Sequence, residues 1–424
     1  MSIHSISRRA FFTGGLATAG VAGLVGLSGL RGARPARAAA GKPRRVVVVF
    51  ASGAWDPTYS IDPKPGVDGI DGPPGEVKEL GGLPILTEAS RPNVEAYFAA
   101  HGGMTTIING INVASVAHPQ SSRRILSGVN DDTAPDVAAI AAATYGTDLA
   151  APYLVLGRTA FSGPHAALSA RTGSANQLVT LLDPLISFPV VGKEGLPLIP
   201  KPAEEALIRE HVLARAGREQ MLRPSKRLDD FVSSLERSDA VREIGQIGEI
   251  EFSRSFDAQI GLAVEALERE LCYSVQMESG GWDTHENNEQ QGPLADAFYT
   301  GLKTLVDELI ARPGSQGGKL IDETMVIVVS EMGRTPKLNS AMGKDHWPVT
   351  SALVIGGGIE GARVLAGTTD ELDAAGVDLN TGAVDNGQNP LIYGSFTGGL
   401  LEAAGVEAGG VILNSEPFHA IHGG

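Results

Sequence analysis

Two runs of largely β-branched, apolar residues, at positions 45–50 and 324–329, constrain the fold more than any other feature. Because these runs lack the polar alternation of a half-exposed strand, they predict strands buried on both faces, as in a parallel sheet. Shorter strand-like runs and stretches of helical periodicity alternate along the rest of the chain. The further predicted strands are residues 105–111, 152–156, 272–277 and 352–355, and the main predicted helices are residues 93–100, 134–145, 247–270 and 293–311. This alternation predicts a doubly wound α/β sheet.

The composition supports a large folded core and excludes several classes of protein. Hydrophobic residues make up 42% and charged residues 20% of the 424 residues, which excludes wholesale disorder. The formal net charge is −15 and the sequence contains no extended basic run, so nucleic acid is not expected as a partner. The single cysteine, Cys272, excludes an internal disulfide framework and a cysteine-cluster metal site.

The first 40 residues differ in kind from the rest and have the features of a targeting segment. Arg8 and Arg9 form a twin-arginine pair, a Gly/Ala-rich apolar stretch follows, and residues 36–40 offer small-residue cleavage sites. A transmembrane anchor is the alternative, which the many glycines and the arginines that follow the apolar stretch disfavour. We therefore predict a twin-arginine signal peptide over residues 1–40, export by the twin-arginine translocase, and a periplasmic or extracellular mature protein.

A change of pattern predicts an insertion within the mature chain. Residues 161–249 carry charged helical segments at 203–216 and 226–241 in place of the strand–helix alternation. We predict one α/β domain over residues 41–424, with a helical insertion or cap over residues 161–249. No stretch after the leader reaches the roughly 18 uncharged apolar residues that a spanning helix needs, so no stable membrane span is expected after cleavage.

Carboxylate and imidazole side chains recur at the predicted strand ends, each group next to one of the three tryptophans. Ligands gather at such ends in α/β sheets, and an Asp-x-His spacing places two side chains on one side of an extended segment. Oxygen and nitrogen donors of this kind suit zinc, and also manganese, magnesium or calcium. The candidate metal ligands are Asp56, Asp283, His285, Asp345 and His346.

Glu331 is a sixth candidate ligand, because it directly follows the buried run at 324–329. A carboxylate in that place is costly unless it is hydrogen-bonded, paired or bound to a metal. Arg334 stands three residues further on, so an ion pair with Arg334 and a metal-ligand role for Glu331 are both open.

Four segments together resemble the bacterial family called domain of unknown function 1501. They are GGWDTHENN at 280–288, VIVVSEMGRTP at 326–336, GKDHWP at 343–348 and LVIGGGIEGARVLAGTTD at 353–370. The resemblance is close over residues 272–370 and loose over residues 45–128. It implies export by the twin-arginine route and the fold of the alkaline phosphatase–sulfatase superfamily, a three-layer α/β/α sandwich with a metal-centred site at the strand ends.

The resemblance also implies which residues hold metal. Asp56 matches the superfamily's first metal-ligating aspartate, and Asp283, His285 and His346 match later ligands. Met332 stands where the superfamily has a histidine ligand, and a methionine cannot replace histidine on a hard or borderline ion. One metal site, made of Asp283, His285 and His346, is therefore expected to be well furnished. A second site could combine Asp56 with His118 and Glu331.

The same resemblance places His118 at the nucleophile position, ten residues before the glycine that ends a short helix. A histidine there could form a phosphohistidine, act as a general base, or serve as another ligand. Ser121 or Ser122 would serve as nucleophile only if the helix were shifted by a turn. Guanidinium groups match tetrahedral oxyanions, so the predicted anion-binding residues are Arg123, Arg124 and Arg334. Arg123 lies nearest the superfamily's arginine and is predicted, with His118, to be catalytic.

These features predict an exported, metal-dependent hydrolase that acts on phosphate or sulfate esters, with a small anionic or glycan ester as substrate. The alternative is a catalytically reduced superfamily member that binds an anion, a glycan or a partner protein, which His118 and Met332 favour. A redox or flavin enzyme is a weaker third interpretation, because GGGIEG at 356–361 lacks the full dinucleotide-binding motif.

Overall fold

The computed structural model describes residues 43–171, 202–222, 225–244, 255–407 and 415–422. The described residues lie within one unit, Pro35–Gly424, and the second unit, Met1–Arg34, lies outside them. The predicted leader at residues 1–40 therefore also lies outside the described residues.

The valine run forms a central strand of an eight-stranded sheet, with a parallel strand on each side of it. The strands are β1 Arg45–Ala51, β2 Glu76–Leu80, β3 Leu83–Thr87, β4 Thr105–Asn112, β5 Tyr153–Val155, β6 Ser169–Arg171, β7 Ser274–Ser279, β8 Thr324–Val329, β9 Gly333–Arg334, β10 His346–Trp347, β11 Val349–Gly356 and β12 Arg363–Leu365. The order in the main sheet is β12-β4-β11-β8-β1-β7-β5-β6, while β2 pairs with β3 and β9 with β10.

Strand direction brings distant loops to one edge of this sheet. β1 runs parallel to β7 and β8, whereas β11 runs antiparallel to both β8 and β4. Two antiparallel steps give β4 the same direction as β1. The carboxyl ends of β1, β4, β7 and β8 and the amino end of β11 therefore share one edge, where an α/β sheet places its ligands.

Helices cover both faces of the sheet. They are α1 Pro92–His101, α2 His118–Ser127, α3 Val137–Tyr145, α4 Pro202–Leu222, α5 Lys226–Ile244, α6 Phe256–Glu268, α7 Gln291–Ala311, α8 Leu320–Glu323 and α9 Tyr393–Ala403. Alternate residues of β1 enter different cores: Val47 and Val49 pack with residues of α1, α6 and α7, and Val46 and Val48 with residues of α2, α3 and α9. The predicted three-layer α/β/α sandwich is confirmed.

The stretch predicted as an insertion contains both helices and a strand of the sheet. The charged segments predicted to be helical correspond to α4 and α5, and β6 adds an edge strand beside β5. Residues 172–201 and 245–249 lie outside the described residues, so the bounds 161–249 stay a prediction. Among the residues that are described, no helix combines the length and apolar character needed to cross a membrane.

The glycine run at 356–358 makes a tight turn between two strands. Gly356, Gly357 and Gly358 all have positive φ, at 70°, 62° and 71°, which glycine adopts without the steric cost of a side chain. A Cβ on Gly357 would lie 3.1 Å from the Met325 backbone nitrogen. The turn leads into β12, whereas a dinucleotide loop opens a helix, so this segment lacks the context of a cofactor loop.

Asp136 is a buried carboxyl group at the amino end of α3. Its Oδ1 accepts a hydrogen bond from the Ala139 backbone N–H at 2.8 Å, which caps the helix. Its Oδ2 accepts from the Tyr153 hydroxyl and the Phe161 N–H, both at 2.7 Å. Burial raises the pKa of Asp136 to about 6, although these hydrogen bonds act to lower it.

This raised pKa of Asp136 predicts a pH-dependent stability. The unfolded chain loses the proton near pH 4 and the native state near pH 6, so the stabilisation is complete below about pH 4 and is lost as pH rises through 6. Relative to Asp136→Asn, the unfolding free energy of the wild type should fall by on the order of 3 kcal/mol between pH 4 and pH 7 in urea melts. Asp378→Asn is the control, since hydrogen bonds from the Asn380 and Thr381 N–H groups lower the pKa of exposed Asp378 and reverse the direction. If the difference in unfolding free energy between the wild type and Asp136→Asn does not change with pH, the raised pKa is contradicted.

Candidate metal centre

Four side chains from three distant segments meet at the shared edge of the sheet. His118 is the first residue of α2, which follows β4, and Asp283 and His285 follow β7. His346 lies in β10, directly before β11. These segments are far apart in the sequence, but strand direction places all three at the same edge of the sheet. This is the edge at which α/β sheets gather ligands, as the sequence predicts.

The ligand atoms of three of these side chains converge, and His285 lies beside them. One atom each of His118, Asp283 and His346 lies within 4.8 Å of the others. Asp283 Oδ2 is 3.5 Å from His118 Nε2, and Asp283 Oδ1 is 3.1 Å from His346 Nε2. His285 Nε2 is 3.3 Å from Asp283 Oδ1 and 3.0 Å from His346 Nε2. The structure thus brings together four of the predicted site residues.

The outer nitrogen of each imidazole faces a hydrogen-bond acceptor. The three pairs are His118 Nδ1 with Glu331 Oε1 at 2.7 Å, His285 Nδ1 with Asp345 Oδ1 at 3.1 Å, and His346 Nδ1 with the Val116 carbonyl oxygen at 2.9 Å. Donation of the Nδ1 proton to the outer acceptor would leave the Nε2 lone pair of each neutral ring directed inward, as a metal ligand requires. Without a cation, Asp283 Oδ1 can instead accept a hydrogen bond from His346 Nε2 at 3.1 Å.

Such a set of converging acceptors fits a metal ion. Nitrogen and oxygen ligands about 2.0 Å from a tetrahedral zinc ion lie about 3.3 Å apart. The separations of Asp283 from the three imidazoles and of His285 from His346 run from 3.0 to 3.5 Å. Outer carboxylate and carbonyl partners of metal-bound histidines commonly fix the ring tautomer in this way. Three imidazoles suit zinc better than magnesium or calcium, which prefer oxygen ligands. The donor set therefore fits a divalent ion that accepts nitrogen ligands.

The charges at the centre also suit a cation. Burial raises the pKa of Asp283, but hydrogen bonds from His346 and Arg334 outweigh it and bring the pKa to about 2. Asp283 is therefore ionised at any pH near neutral. The hydrogen bond to Glu331 raises the pKa of His118, so a proton and a metal ion compete for this ring.

Glu331 lies behind His118 and not among the inward-facing ligand atoms. It accepts hydrogen bonds from the Gly53 N–H at 2.9 Å and the Ser330 hydroxyl at 3.0 Å in addition to His118. Arg334 contacts Asp283 instead, so the alternative of a Glu331–Arg334 pair is wrong. The structure makes Glu331 the group that orients His118, and Asp345 has the same place behind His285.

Asp56 does not join the cluster. Its Oδ2 lies 2.8 Å from Lys344 Nζ, and both side chains are fully buried. Oδ2 also accepts from Asn288 Nδ2 at 3.0 Å, and Oδ1 accepts from the Thr58 hydroxyl at 2.6 Å. Burial raises the pKa of Asp56, but Lys344 and these hydrogen bonds bring it below its ordinary value. The expected second metal site is replaced here by an ion pair.

The arginines predicted to bind an anion all have other partners. Arg123 pairs with Asp132 and lies five positions beyond His118, which turns it about 140° around the helix. Arg124 donates to the Val113 carbonyl oxygen at 3.0 Å. Arg334 is fully buried, and its guanidinium bonds Asp283 at 2.9 Å together with four backbone carbonyls. Those carbonyls belong to Gly53, Ala54, Trp282 and Lys344.

Trp55, Trp282 and Met332, which stand next to the site residues in the sequence, pack into the hydrophobic cores of the sheet. The rings of Trp55 and Trp282 meet edge to face with centroids 6.3 Å apart, and both pack on Phe298. Met332 is buried in the core on the other face of the sheet. The tryptophans hold the site loops on the core, and Met332 contributes packing.

Sequence reasoning missed Lys344 and the Val116 carbonyl. Lys344 directly precedes Asp345 within the GKDHWP motif, so its place beside two candidate ligands could have indicated a role in the site. The Val116 carbonyl carries no signal, because any residue at position 116 would present the same backbone oxygen to His346.

Gly343 is required for the close approach of two site loops. A Cβ at this position would lie 1.9 Å from the His285 carbonyl oxygen, so Gly343→Ala must displace one of the loops. We expect this variant to weaken zinc binding by at least about 10-fold, the effect of disturbing an outer partner, in a competition titration with a chelating dye. Gly280→Ala is the matched control, since a Cβ there meets nothing within 4 Å. Equal zinc affinity in both variants would contradict the expectation.

Comparison with known families gives a match over part of the chain. Residues 209–385 match the model of the family described as "Protein of unknown function (DUF1501)". This confirms the resemblance drawn from the sequence motifs. A comparison with curated protein sequences finds no match.

Similar solved structures include three bacterial proteins. A protein described as belonging to the alkaline phosphatase superfamily, from Vibrio parahaemolyticus, is 12% identical, with 88% of this chain and 69% of that chain covered and a TM-score of 0.38. The lipoteichoic acid synthase LtaP from Listeria monocytogenes is 10% identical, with 90% and 77% covered and a TM-score of 0.38. A putative sulfatase from Bacteroides thetaiotaomicron is 10% identical, with 90% and 75% covered and a TM-score of 0.39. A likeness this remote says nothing about the reaction of this chain.

Proposed function

We propose that this chain, whose residues 209–385 match the model of the family of unknown function 1501, is a hydrolase with a single divalent metal ion, best suited to zinc. The observation that carries the proposal is the cluster of His118, Asp283 and His346, with His285 beside it and each imidazole next to an outer acceptor. Converging lone pairs repel each other unless a cation or a proton lies between them.

The chain's residues would divide the work of such a centre. When bound, a divalent ion polarises an ester oxygen and lowers the pKa of a coordinated water. His118, Asp283 and His346 would hold the ion, and Glu331 would fix the His118 ring. The side chains of His118 and Asp283 are 38% and 48% exposed, so the centre faces solvent and a substrate can reach it. Partial exposure is typical of catalytic metal sites, which keep one position open.

The substrate class and location follow from the sequence. The family resemblance implies hydrolysis of phosphate or sulfate esters, with a small anionic or glycan ester as substrate. The Arg8–Arg9 pair and the apolar segment after it support export through the twin-arginine translocase to the periplasm or the cell exterior. A centre that must be folded before it can bind metal is compatible with a route that carries folded proteins.

A binding protein is the second candidate. It is favoured because the arginines predicted to bind an anion already have other partners. A phosphate or sulfate ester needs positive charge beside the metal, but Arg123 is paired with Asp132 and Arg334 is bound to Asp283 and backbone carbonyls. A centre of this kind would bind an anion, a glycan or a partner protein through its metal and release it unchanged.

Removal and return of zinc tests the proposal. Chelator-treated protein should melt at a lower temperature, and zinc at 100 times its Kd should restore about 2.7 kcal/mol of stability. Hydrolysis of p-nitrophenyl phosphate, p-nitrophenyl sulfate and bis-p-nitrophenyl phosphate should depend on the added zinc. A melting temperature that changes with neither chelator nor zinc would contradict a metal centre. Zinc binding with no hydrolysis of any probe would favour the binding protein.

A further inference from the structure

Two buried cationic side chains form ion pairs with carboxylates at the edge of the sheet where the carboxyl ends of the strands lie. Lys344 Nζ lies 2.8 Å from Asp56 Oδ2, and Arg334 Nη2 lies 2.9 Å from Asp283 Oδ1. The Lys344 and Arg334 side chains have no exposed surface. Full burial of a lysine is rare without a paired carboxylate, so the Lys344–Asp56 contact is a built feature of the fold.

The surroundings of Lys344 Nζ have the form of a cation site. Asp56 Oδ2 faces the ammonium, and the carboxylate is held in place by the Thr58 N–H at 3.1 Å, the Thr58 hydroxyl at 2.6 Å and Asn288 Nδ2 at 3.0 Å. Asn288 is itself fixed by the Thr284 hydroxyl at 2.9 Å. These bonds orient one carboxylate toward one cation and leave the site closed to solvent.

Lys344 is connected to the metal centre through its backbone as well. Its N–H donates to the Thr284 carbonyl oxygen at 3.2 Å, and its own carbonyl accepts from Arg334 Nη1 at 2.9 Å. The same Arg334 guanidinium holds Asp283. The next two residues are Asp345 and His346, so three bonds fix the start of the segment that carries a ligand and an outer partner.

We propose that Lys344 is a built-in cation that fills the Asp56 site, limits the centre to one divalent ion, and positions His346. This inference rests on the proposed metal centre and adds its stoichiometry and its supporting residue. A tethered ammonium is always present beside Asp56, which gives it a large advantage over an ion from solution. The carboxylate is then neutralised whatever the metal concentration. Lys344 acts through the backbone of residues 344–346 and is a positioning residue.

Metal stoichiometry in the wild-type protein is the first test. Equilibrium dialysis against zinc, followed by elemental analysis, should give one tightly bound ion per chain. Two tight sites would overturn the inference and leave the proposed metal centre intact. No bound zinc would overturn the proposed function and, with it, this inference.

Lys344→Ala is the second test, with exposed Lys337→Ala as its control. The Lys344 variant should bind zinc at least about 10-fold more weakly, as expected when the support of a metal ligand is lost, while the control binds as the wild type does. Propylammonium chloride can enter the space left by the side chain, so it should raise both the zinc affinity and the melting temperature of the Lys344 variant alone. Wild-type zinc affinity without any response to propylammonium would overturn the positioning role.

A neutral pair keeps the test decisive if Lys344→Ala does not fold. The double variant Asp56→Asn with Lys344→Met removes both charges and preserves most of the volume, which buried pairs often tolerate. It should fold and bind one zinc ion more weakly than the wild type does, because the ionic tether to the 344–346 segment is gone. Wild-type zinc affinity in this folded double variant would overturn the role of the ion pair.

Discussion

Replacement of His346 by alanine is expected to weaken zinc binding by more than about 100-fold. Loss of an outer hydrogen-bond partner of a metal-bound histidine typically costs about 10- to 100-fold, and His346 offers its nitrogen directly to the centre, 3.1 Å from Asp283 Oδ1. Isothermal titration calorimetry of the metal-free proteins measures the effect. Because His346 is partly exposed at the end of a short ribbon, the fold should survive the change.

Two further variants make this result specific. His211→Ala changes an exposed histidine of α4 and should leave zinc affinity unchanged. Glu331→Gln keeps the shape of the group behind His118 but weakens its hydrogen bond at 2.7 Å, so an intermediate loss of about 10- to 100-fold is expected. Unchanged zinc affinity in the His346 variant would remove His346 from the ligand set.

Arg334→Met is expected to be the most destabilising of the arginine substitutions, at about 3–5 kcal/mol. The change leaves Asp283 without its cation partner and deprives backbone carbonyls, including those of Gly53 and Trp282, of a buried donor. Buried acceptors without donors carry their full desolvation penalty. Urea unfolding, monitored by circular dichroism, gives the free energy.

Arg269→Met is the matched control for this prediction. Arg269 is half exposed and pairs with Glu265 one helical turn away, so its loss should cost less than about 0.5 kcal/mol. Similar unfolding free energies for the Arg334 and Arg269 variants would show that Arg334 is not the scaffold of the site loops.

The layered fold was predictable because its signal is local. The runs at 45–50 and 324–329 became β1 and β8 with no change at their amino ends, since a strand buried on both faces has no polar residues to interrupt it. Helix α9, Tyr393–Ala403, was missed. Apolar residues occur on all sides of this helix, and four of its eleven residues are glycine or serine, so it shows no clear periodicity.

The edge of the sheet at which the candidate residues lie was predictable, but their pairings were not. His118, Asp283 and His346 converge, with His285 beside them, because strand direction brings their segments to one edge of the sheet. Asp56 stands at an equally suitable strand end, but its partner Lys344 is 288 positions away. A contact of that range depends on how loops pack above the sheet, and no local pattern encodes it. The same limit explains why Arg123, Arg124 and Arg334 were expected to be open to an anion.

The origin of the four inward-facing side chains in three remote segments has a consequence for biogenesis. Residues 118, 283–285 and 346 come together only after β4, β7 and β11 have taken their places. An ion bound at the proposed centre would therefore be acquired only after these strands have assembled, because a preformed site rarely exists before folding. Each molecule would then pass through a folded, metal-free stage during maturation.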